Sequence, residues 1–125
     1  MKNMPQISEA ELEVMKVLWA DSPKTSAQIV QALEGKNDWK PKTIQTMITR
    51  LVNKGAITVE KPTAKVYLYA PLVTQEQYQA YANQSFLKRL YNGSLNLMLT
   101  SFVKEQSLTQ EEIDELKQIL EKGKS

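Results

Sequence analysis

The sequence predicts a mostly α-helical fold that contains one small β-hairpin, and two kinds of pattern support this fold class. Four apolar segments of the 125-residue chain are preceded by a capping box, in which Glu or Gln follows a hydroxyl residue three positions later. These capping boxes are Ser8–Glu11, Thr25–Gln28, Thr74–Gln77 and Thr109–Glu112. Between residues 57 and 69 the apolar side chains instead follow the period of two that is typical of strands. The length fits one domain, or one domain with an accessory segment.

The first 55 residues predict three short helices. The first two capping boxes start helices over about residues 9–20 and 26–34. Pro41 suits the first position of a third helix, and Gly55 stands where a C-cap glycine belongs. Each helix carries an apolar stripe at helical spacing. The stripes are Leu12, Met15, Leu18 and Trp19, then Ile29, Val30 and Leu33, then Ile44, Met47, Ile48 and Leu51.

A β-hairpin is expected directly after the third helix. Residues 57–60 alternate between apolar and polar side chains, and residues 66–69 alternate between aliphatic side chains and tyrosines. Residues 61–64 predict the tip, and Pro71 ends the second strand. Three short helices followed by a hairpin match a winged helix-turn-helix, in which the third helix is the recognition helix and the hairpin is the wing. We therefore predict a winged-helix domain over residues 1–71.

The rest of the chain, residues 72–125, predicts three helices and no strand. They span about residues 75–90, 94–104 and 110–121, and the middle one is apolar nearly all round. Some 50 residues are too few for a well-buried independent core. The simplest partner that could bury the remaining apolar surface of these helices is a second copy of the chain. We therefore predict a helical dimerisation domain. The residues expected at its interface are Phe86, Leu90, Leu95, Met98, Leu99, Phe102, Ile113, Leu116 and Leu120.

The composition excludes most kinds of enzymatic chemistry. The chain has no cysteine and no histidine. Disulfides, thiol chemistry and the usual zinc sites are therefore absent, as is the histidine base of a nucleophilic triad. We expect no catalytic residue, no metal site and no cofactor.

The positive charge is concentrated in one short stretch. The formal net charge is +2, but residues 1–70 carry +3 and residues 71–125 carry −1. Residues 36–65 contain seven basic and two acidic side chains, a net of +5. Such clustering is typical of a phosphate-binding surface, although from charge alone an ordinary solvated face is equally compatible.

The outer face of the third helix favours DNA binding over that alternative. It carries hydroxyls, an amide and cations, and the helix contains no acidic residue. Amides can pair with adenine, threonine methyls can touch thymine, and cations suit phosphates or guanine. Two lysines near the hairpin tip are expected to contact phosphate as well. The predicted contacts are Lys42, Thr43, Gln45, Thr46, Arg50, Lys61 and Lys65.

The sequence also resembles a known family along nearly its whole length. Each matching segment alone is weakly specific, whereas together they are highly specific. The segments are ISEAELEVM (7–15), WKPKTIQT (39–46), TRLVNKGAI (49–57), SFL (85–87), YNG (91–93), EEI (111–113) and QILE (118–121). In these segments the chain is similar to the penicillinase and methicillin-resistance repressors.

The resemblance implies a homodimeric winged-helix repressor of β-lactam resistance genes. In that family each dimer sits on an inverted repeat with TACA and TGTA half-sites. The implied partners are therefore double-stranded operator DNA, a second copy of the chain and a membrane β-lactam sensor. The sensor triggers cleavage of the repressor within its dimerisation region. The matching bond in this sequence is Ser101–Phe102.

Two residues depart from the family's pattern. Ser101 stands where relatives usually have asparagine before the cleaved bond. Lys40 stands at the N-cap of the recognition helix, where relatives usually have serine. Loss of a capping hydroxyl costs about 1 kcal/mol. A lysine at this position can contact phosphate, so Lys40 joins the predicted DNA contacts.

Two alternatives stay open at the level of sequence. One is a repressor of the same fold with another inducing signal and another regulon. The other is a winged helix used only for protein–protein contacts.

A sister branch of the family senses copper through a cysteine-rich tail, which this chain lacks. Because no export signal or membrane span is recognisable, we expect a cytoplasmic protein without direct membrane insertion.

Overall fold

The computed structural model describes residues 4–35 and 38–123, except for the side chains of Leu120 and Lys122. Within these residues the chain forms six helices and one two-stranded antiparallel sheet. In chain order they are α1 (Glu9–Ala20), α2 (Ser26–Leu33), α3 (Pro41–Lys54), β1 (Ile57–Thr63), β2 (Val66–Pro71), α4 (Gln75–Tyr91), α5 (Leu95–Lys104) and α6 (Gln110–Gly123). The mostly helical fold class with one hairpin is confirmed. The chain divides into two compact units, one ending at Tyr81 and the other beginning at Ala82.

All four predicted capping boxes are formed. At the start of α1, Ser8 Oγ accepts a hydrogen bond from the Glu11 amide at 3.1 Å, and Glu11 Oε1 accepts one from the Ser8 amide at 3.0 Å. The boxes before α2, α4 and α6 show the same reciprocal pair of bonds. Helix α3 differs, because its N-cap residue Lys40 makes no side-chain cap bond. The helix begins with Pro41, whose fixed φ suits the first helical position.

The core of the first unit is built from the predicted stripes of α1, α2 and α3, closed on one side by the sheet. Its buried residues are Val14, Met15, Leu18, Ile29, Leu33, Ile44, Met47, Ile48, Leu51, Ala56, Ile57 and Tyr69. Each fully buried aliphatic side chain contributes about 1.5–3 kcal/mol to folding. Because α3 buries one stripe against this core, its opposite face is left in solvent.

The hairpin has its tip in a different place from the one predicted. Strand β1 continues to Thr63, and the turn is formed by Ala64 and Lys65 rather than by residues 61–64. The strand pairing is irregular between Glu60 and Thr63, around Pro62. Proline cannot donate to a strand ladder, but both strands of a two-stranded sheet are edges. Pro62 therefore lies within the strand instead of ending it.

A backbone bridge that the sequence did not predict joins the loop before α2 to the wing. The amide of Lys24 donates to the Tyr69 carbonyl at 3.0 Å, and the amide of Tyr69 donates to the Lys24 carbonyl at 2.8 Å. Tyr69 is only 7% exposed and pairs with Val59 across the sheet. The bridge fixes the start of α2 beside strand β2.

The beginning of α4 is held to α1 within the first unit. The indole nitrogen of Trp19 donates to the Val73 carbonyl at 2.8 Å. The Trp19 ring also lies 5.9 Å from the ring of Tyr78 on α4, measured between centroids. The half-buried Trp39 packs against the core.

The second unit is short of buried apolar surface. Among its described side chains none is fully buried, and several large apolar ones are exposed. The exposed ones are Leu90, Leu95, Leu97, Val103 and Ile119. None of the described helices is long and apolar enough to cross a bilayer.

Candidate nucleic-acid interface

The outer face of α3 consists of Lys42, Thr43, Gln45, Thr46 and Arg50. All five side chains are exposed, and this set is called the α3 outer face below. They are exposed because Ile44, Met47, Ile48 and Leu51 hold the other side of the helix in the core. The face carries cations, an amide and hydroxyls at the spacing of one helix side, which is the composition that major-groove recognition uses.

The threonine hydroxyls of this helix are partly used inside it. Thr46 Oγ1 donates to the Lys42 carbonyl at 3.0 Å, and Thr49 Oγ1 donates to the Gln45 carbonyl at 3.1 Å. A hydroxyl has one hydrogen to donate and two lone pairs that accept. Thr46 therefore offers a ligand its methyl group and its acceptor lone pairs rather than a donor.

A groove of about 480 Å³ brings α3, the start of α2 and the wing together. Gln45 lines it from α3 and Lys65 lines it from the turn of the wing. Thr25, Ser26 and Ala27 line it at the N-terminus of α2, where the helix dipole favours negative charge. Two of the predicted contacts, from elements 20 residues apart, thus share one groove.

The two wing lysines are exposed but have different surroundings. Lys61 Nζ lies 4.7 Å from the centroid of the Tyr67 ring, a cation–π contact. Lys65 lies in the turn, where its amide donates to Thr63 Oγ1 at 3.3 Å. Lys40 is exposed at the N-terminal end of α3. Lys36, which contributes to the basic stretch, lies outside the described residues.

Lys54 belongs to the basic stretch by sequence, and its exposed side chain is bonded to other groups of the protein. Its ammonium group donates to Glu11 Oε1 and, at 2.8 Å, to the carbonyl of Gln6. Glu11 is only 3% exposed. Burial of the Glu11 carboxyl raises its pKa, but hydrogen bonds from Lys54 and Ser8 lower it by more, so the pKa lies below its ordinary value. No local pattern reveals this pair, because 43 residues separate its members.

The predicted dimerisation and cleavage residues lie in the second unit. Leu90 and Leu95 are exposed, whereas the others described are half-buried: Phe86, Met98, Leu99, Phe102, Ile113 and Leu116. The side chain of Leu120 is outside the described set. Ser101 and Phe102 are both half-buried and lie within α5.

The described residues contain no group of three or more His, Cys, Asp or Glu placed to hold a metal ion. What the first unit presents is an exposed helix face with a basic wing beside it. These elements define the class of winged helix-turn-helix proteins, whose exposed third helix is suited to DNA binding.

Comparison with known proteins identifies the family within this class. Residues 7–122 match the family described as Penicillinase repressor. The chain therefore belongs to the penicillinase repressor family, a family of DNA-binding transcriptional repressors and not of enzymes. It is 46% identical to the penicillinase repressor of Bacillus licheniformis over 125 residues, which is 100% of this chain and 97% of that protein.

A second relative and a solved structure agree with this assignment. The methicillin resistance regulatory protein MecI of Staphylococcus aureus (strain N315) is 37% identical over 117 residues, 94% of each protein. A solution structure of the monomeric form of Bacillus licheniformis BlaI in complex with the blaP half-operator superposes with a TM-score of 0.54 at 45% identity. The superposition covers 62% of this chain and 94% of that one.

Proposed function

We propose that this chain is a cytoplasmic, homodimeric repressor of β-lactam resistance genes, with one winged helix on each half of an inverted-repeat operator. The half-sites expected from the family resemblance are TACA and TGTA. A membrane β-lactam sensor relieves repression by causing cleavage at Ser101–Phe102 in the dimerisation domain, residues 72–125. The winged-helix domain, residues 1–71, binds the DNA.

The observation that carries this proposal is the α3 outer face. Its five side chains are exposed together on one side of a helix whose other side is buried. Lys61 and Lys65 on the wing and Lys40 before α3 add positive charge for phosphate contacts. The related BlaI chain, which was solved in complex with a half-operator, supports DNA binding by the matching part of this chain.

The exposed apolar side chains of the second unit support dimerisation. A partner copy that covered Leu90 and Leu95 would remove apolar surface from water, which favours association. Dimerisation makes the second DNA contact intramolecular, so the affinity of two linked winged helices exceeds that of one by about 10² to 10⁴.

Cleavage within α5 would act by removing this linkage. A cut after Ser101 divides α5 and separates α6 from the winged helix. Proteases act on locally opened chains, and Ser101 and Phe102 are half-buried in a ten-residue helix. Opening α5 is therefore a step that induction requires, and repression ends because dimerisation and DNA affinity fall together.

A gel-shift titration tests the DNA-binding part of the proposal. We expect the full chain to prefer a duplex with the inverted repeat over a scrambled duplex, with binding weakened by salt as phosphate contacts require. Absence of any salt-dependent shift would instead support a winged helix used only for protein contacts.

A second repressor function is favoured by Ser101, which replaces the asparagine usual before the cleaved bond. A repressor of another regulon would respond to another signal. Incubating the purified chain with extract from β-lactam-induced cells decides between the two. A new terminus at Phe102 supports the β-lactam response, and an intact chain supports the other signal.

A further inference from the structure

We propose that Lys54, although part of the basic stretch, is a positioning residue for the recognition helix and makes no contact with DNA. Its ion pair with Glu11 fixes the C-terminal end of α3 to the N-terminal end of α1. The inference rests on the proposed function, because it assumes that α3 reads operator DNA.

The geometry ties three segments together at one point. Lys54 is the last residue of α3, and its ammonium group donates both to Glu11 and to the carbonyl of Gln6. Glu11 Oε1 also accepts a hydrogen bond from the Ser8 amide at 3.0 Å. The capping box of α1 therefore holds the carboxylate, and the carboxylate holds the end of α3.

The burial of Glu11 makes the pair specific in position. Glu11 is 3% exposed, so little water can replace a lost partner of its carboxylate. A buried charge is costly unless it is paired and hydrogen-bonded. The lowered pKa of Glu11 agrees with a carboxylate that stays ionised at neutral pH because Lys54 and Ser8 bond to it. Any shift of α3 that breaks the pair is therefore opposed.

Apolar packing alone fixes α3 less sharply than these directional bonds do. The buried stripe of α3 favours one side of the helix, but dispersion contacts are individually weak and non-directional. A rotation of α3 by about 20° would move a side-chain tip about 5 Å from its axis by roughly 2 Å. Hydrogen bonds to base edges do not survive such a displacement. Recognition of base edges by Gln45 and Thr46 thus depends on the ion pair of Lys54, which lies two to three helical turns away.

The salt dependence of binding separates a positioning role from a phosphate contact. Removal of a lysine that contacts phosphate lowers the salt slope by about 0.9 for each contact, or about two for a dimer. Removal of a lysine whose ammonium group is bonded to protein oxygens and does not contact phosphate leaves the slope unchanged. Lys54→Met keeps the aliphatic stem and removes the charge, so it makes this comparison directly.

The experiment measures fluorescence anisotropy of the full chain on operator and scrambled duplexes over a salt series, with folding checked by circular dichroism. For Lys54→Met we expect operator affinity to fall by about tenfold, scrambled-DNA affinity to stay within about twofold, and the salt slope to stay at the wild-type value. Lys65→Met is the matched phosphate-contact variant, and it should weaken both duplexes and lower the slope. Lys16→Met, at an exposed lysine on α1, should change neither the affinity for the two duplexes nor the salt slope.

The double variant Glu11→Leu with Lys54→Met keeps the test valid if the single variant unfolds, because it leaves no buried unpaired charge. It should fold and still show the reduced preference for operator, because it lacks the directional bonds.

Two results would overturn the inference. One is a salt slope for Lys54→Met that falls as far as that of Lys65→Met. The other is a folded single or double variant with wild-type preference for operator. A wild-type chain without operator preference would contradict the proposed function instead, and the slopes on scrambled DNA would still decide whether Lys54 contacts phosphate.

Discussion

At the scale of single residues, the lysines of the basic stretch have different surroundings. Lys65 is exposed in the wing turn, Lys61 lies over the ring of Tyr67, and Lys54 is bonded to a buried carboxylate. The net charge of residues 36–65 therefore overstates the charge available to DNA by the contribution of Lys54. Charge clustering predicts one phosphate-binding surface but cannot rank its lysines, because the partner of Lys54 lies 43 residues away.

Thr46 provides a test of how the α3 outer face discriminates between bases. Since its hydroxyl hydrogen is bonded to the Lys42 carbonyl, we expect the methyl group to carry the recognition. Thr46→Ser removes the methyl group and should cost about 1 kcal/mol of discrimination between operator and scrambled DNA. Thr46→Val keeps the methyl group and should stay near wild type. Competition binding measures both, and the reverse order would show that the hydroxyl reads the base.

Glu11→Gln should lower the free energy of unfolding by about 1–3 kcal/mol at neutral pH, because the ion pair with Lys54 is lost. The pKa of Glu11 is lower in the folded state than in the unfolded state, so this stability is present above the unfolded pKa, about 4.3, and is lost as pH falls through the folded value. The difference between wild type and variant should therefore shrink below about pH 4. Urea titrations over pH measure it, and a constant difference would contradict the role of ionisation.

At the scale of elements, local signals were predictable and non-local ones were not. Capping boxes and glycine placement lie within a few residues, so the helix starts and the αL cap at Gly55 could be read from sequence. The predicted position of the wing tip was wrong, because a proline in a two-stranded sheet need not end a strand. The Lys24–Tyr69 bridge joins segments 45 residues apart and leaves no local trace. For the same reason the sequence does not show that Tyr69 of the hairpin is buried in the core.

The missing cap of α3 leads to a prediction about Lys40. Lys40→Ser supplies a capping hydroxyl and should raise the free energy of unfolding by about 1 kcal/mol. It also removes a cation at the predicted phosphate surface, so DNA binding should weaken and the salt slope should fall. Lys40→Ala is the matched control, which should weaken binding equally without the stabilisation. Wild-type DNA affinity in both variants would remove Lys40 from the phosphate contacts.

At the scale of the whole molecule, the two units differ in how completely they bury their apolar residues. The first closes a core of its own, whereas the described side chains of the second leave large apolar groups exposed. This agrees with the proposal that a second copy of the chain covers the exposed apolar side chains of the second unit. The structural division at Tyr81 lies within α4, ten residues beyond the domain boundary proposed from the sequence at residue 71.

Leu95→Glu should weaken dimerisation. Leu95 is 45% exposed, so the substitution leaves the helices of one chain largely unperturbed while placing a charge in the proposed interface. We expect sedimentation to shift toward monomer at micromolar concentration with helix content preserved. Thr100→Glu, at an exposed polar position of the same helix, is the matched control. A wild-type sedimentation profile for Leu95→Glu would remove Leu95 from the interface.

The most direct test of a dimeric operator-binding repressor compares the full chain on three duplexes of equal length: the inverted repeat, a single half-site and a scrambled sequence. Bivalent binding predicts that the full repeat is preferred over the single half-site by about 10² to 10⁴, and that Leu95→Glu loses this preference while keeping its preference for the half-site over scrambled DNA. Equal affinity of the wild-type chain for the full repeat and the single half-site would contradict the account.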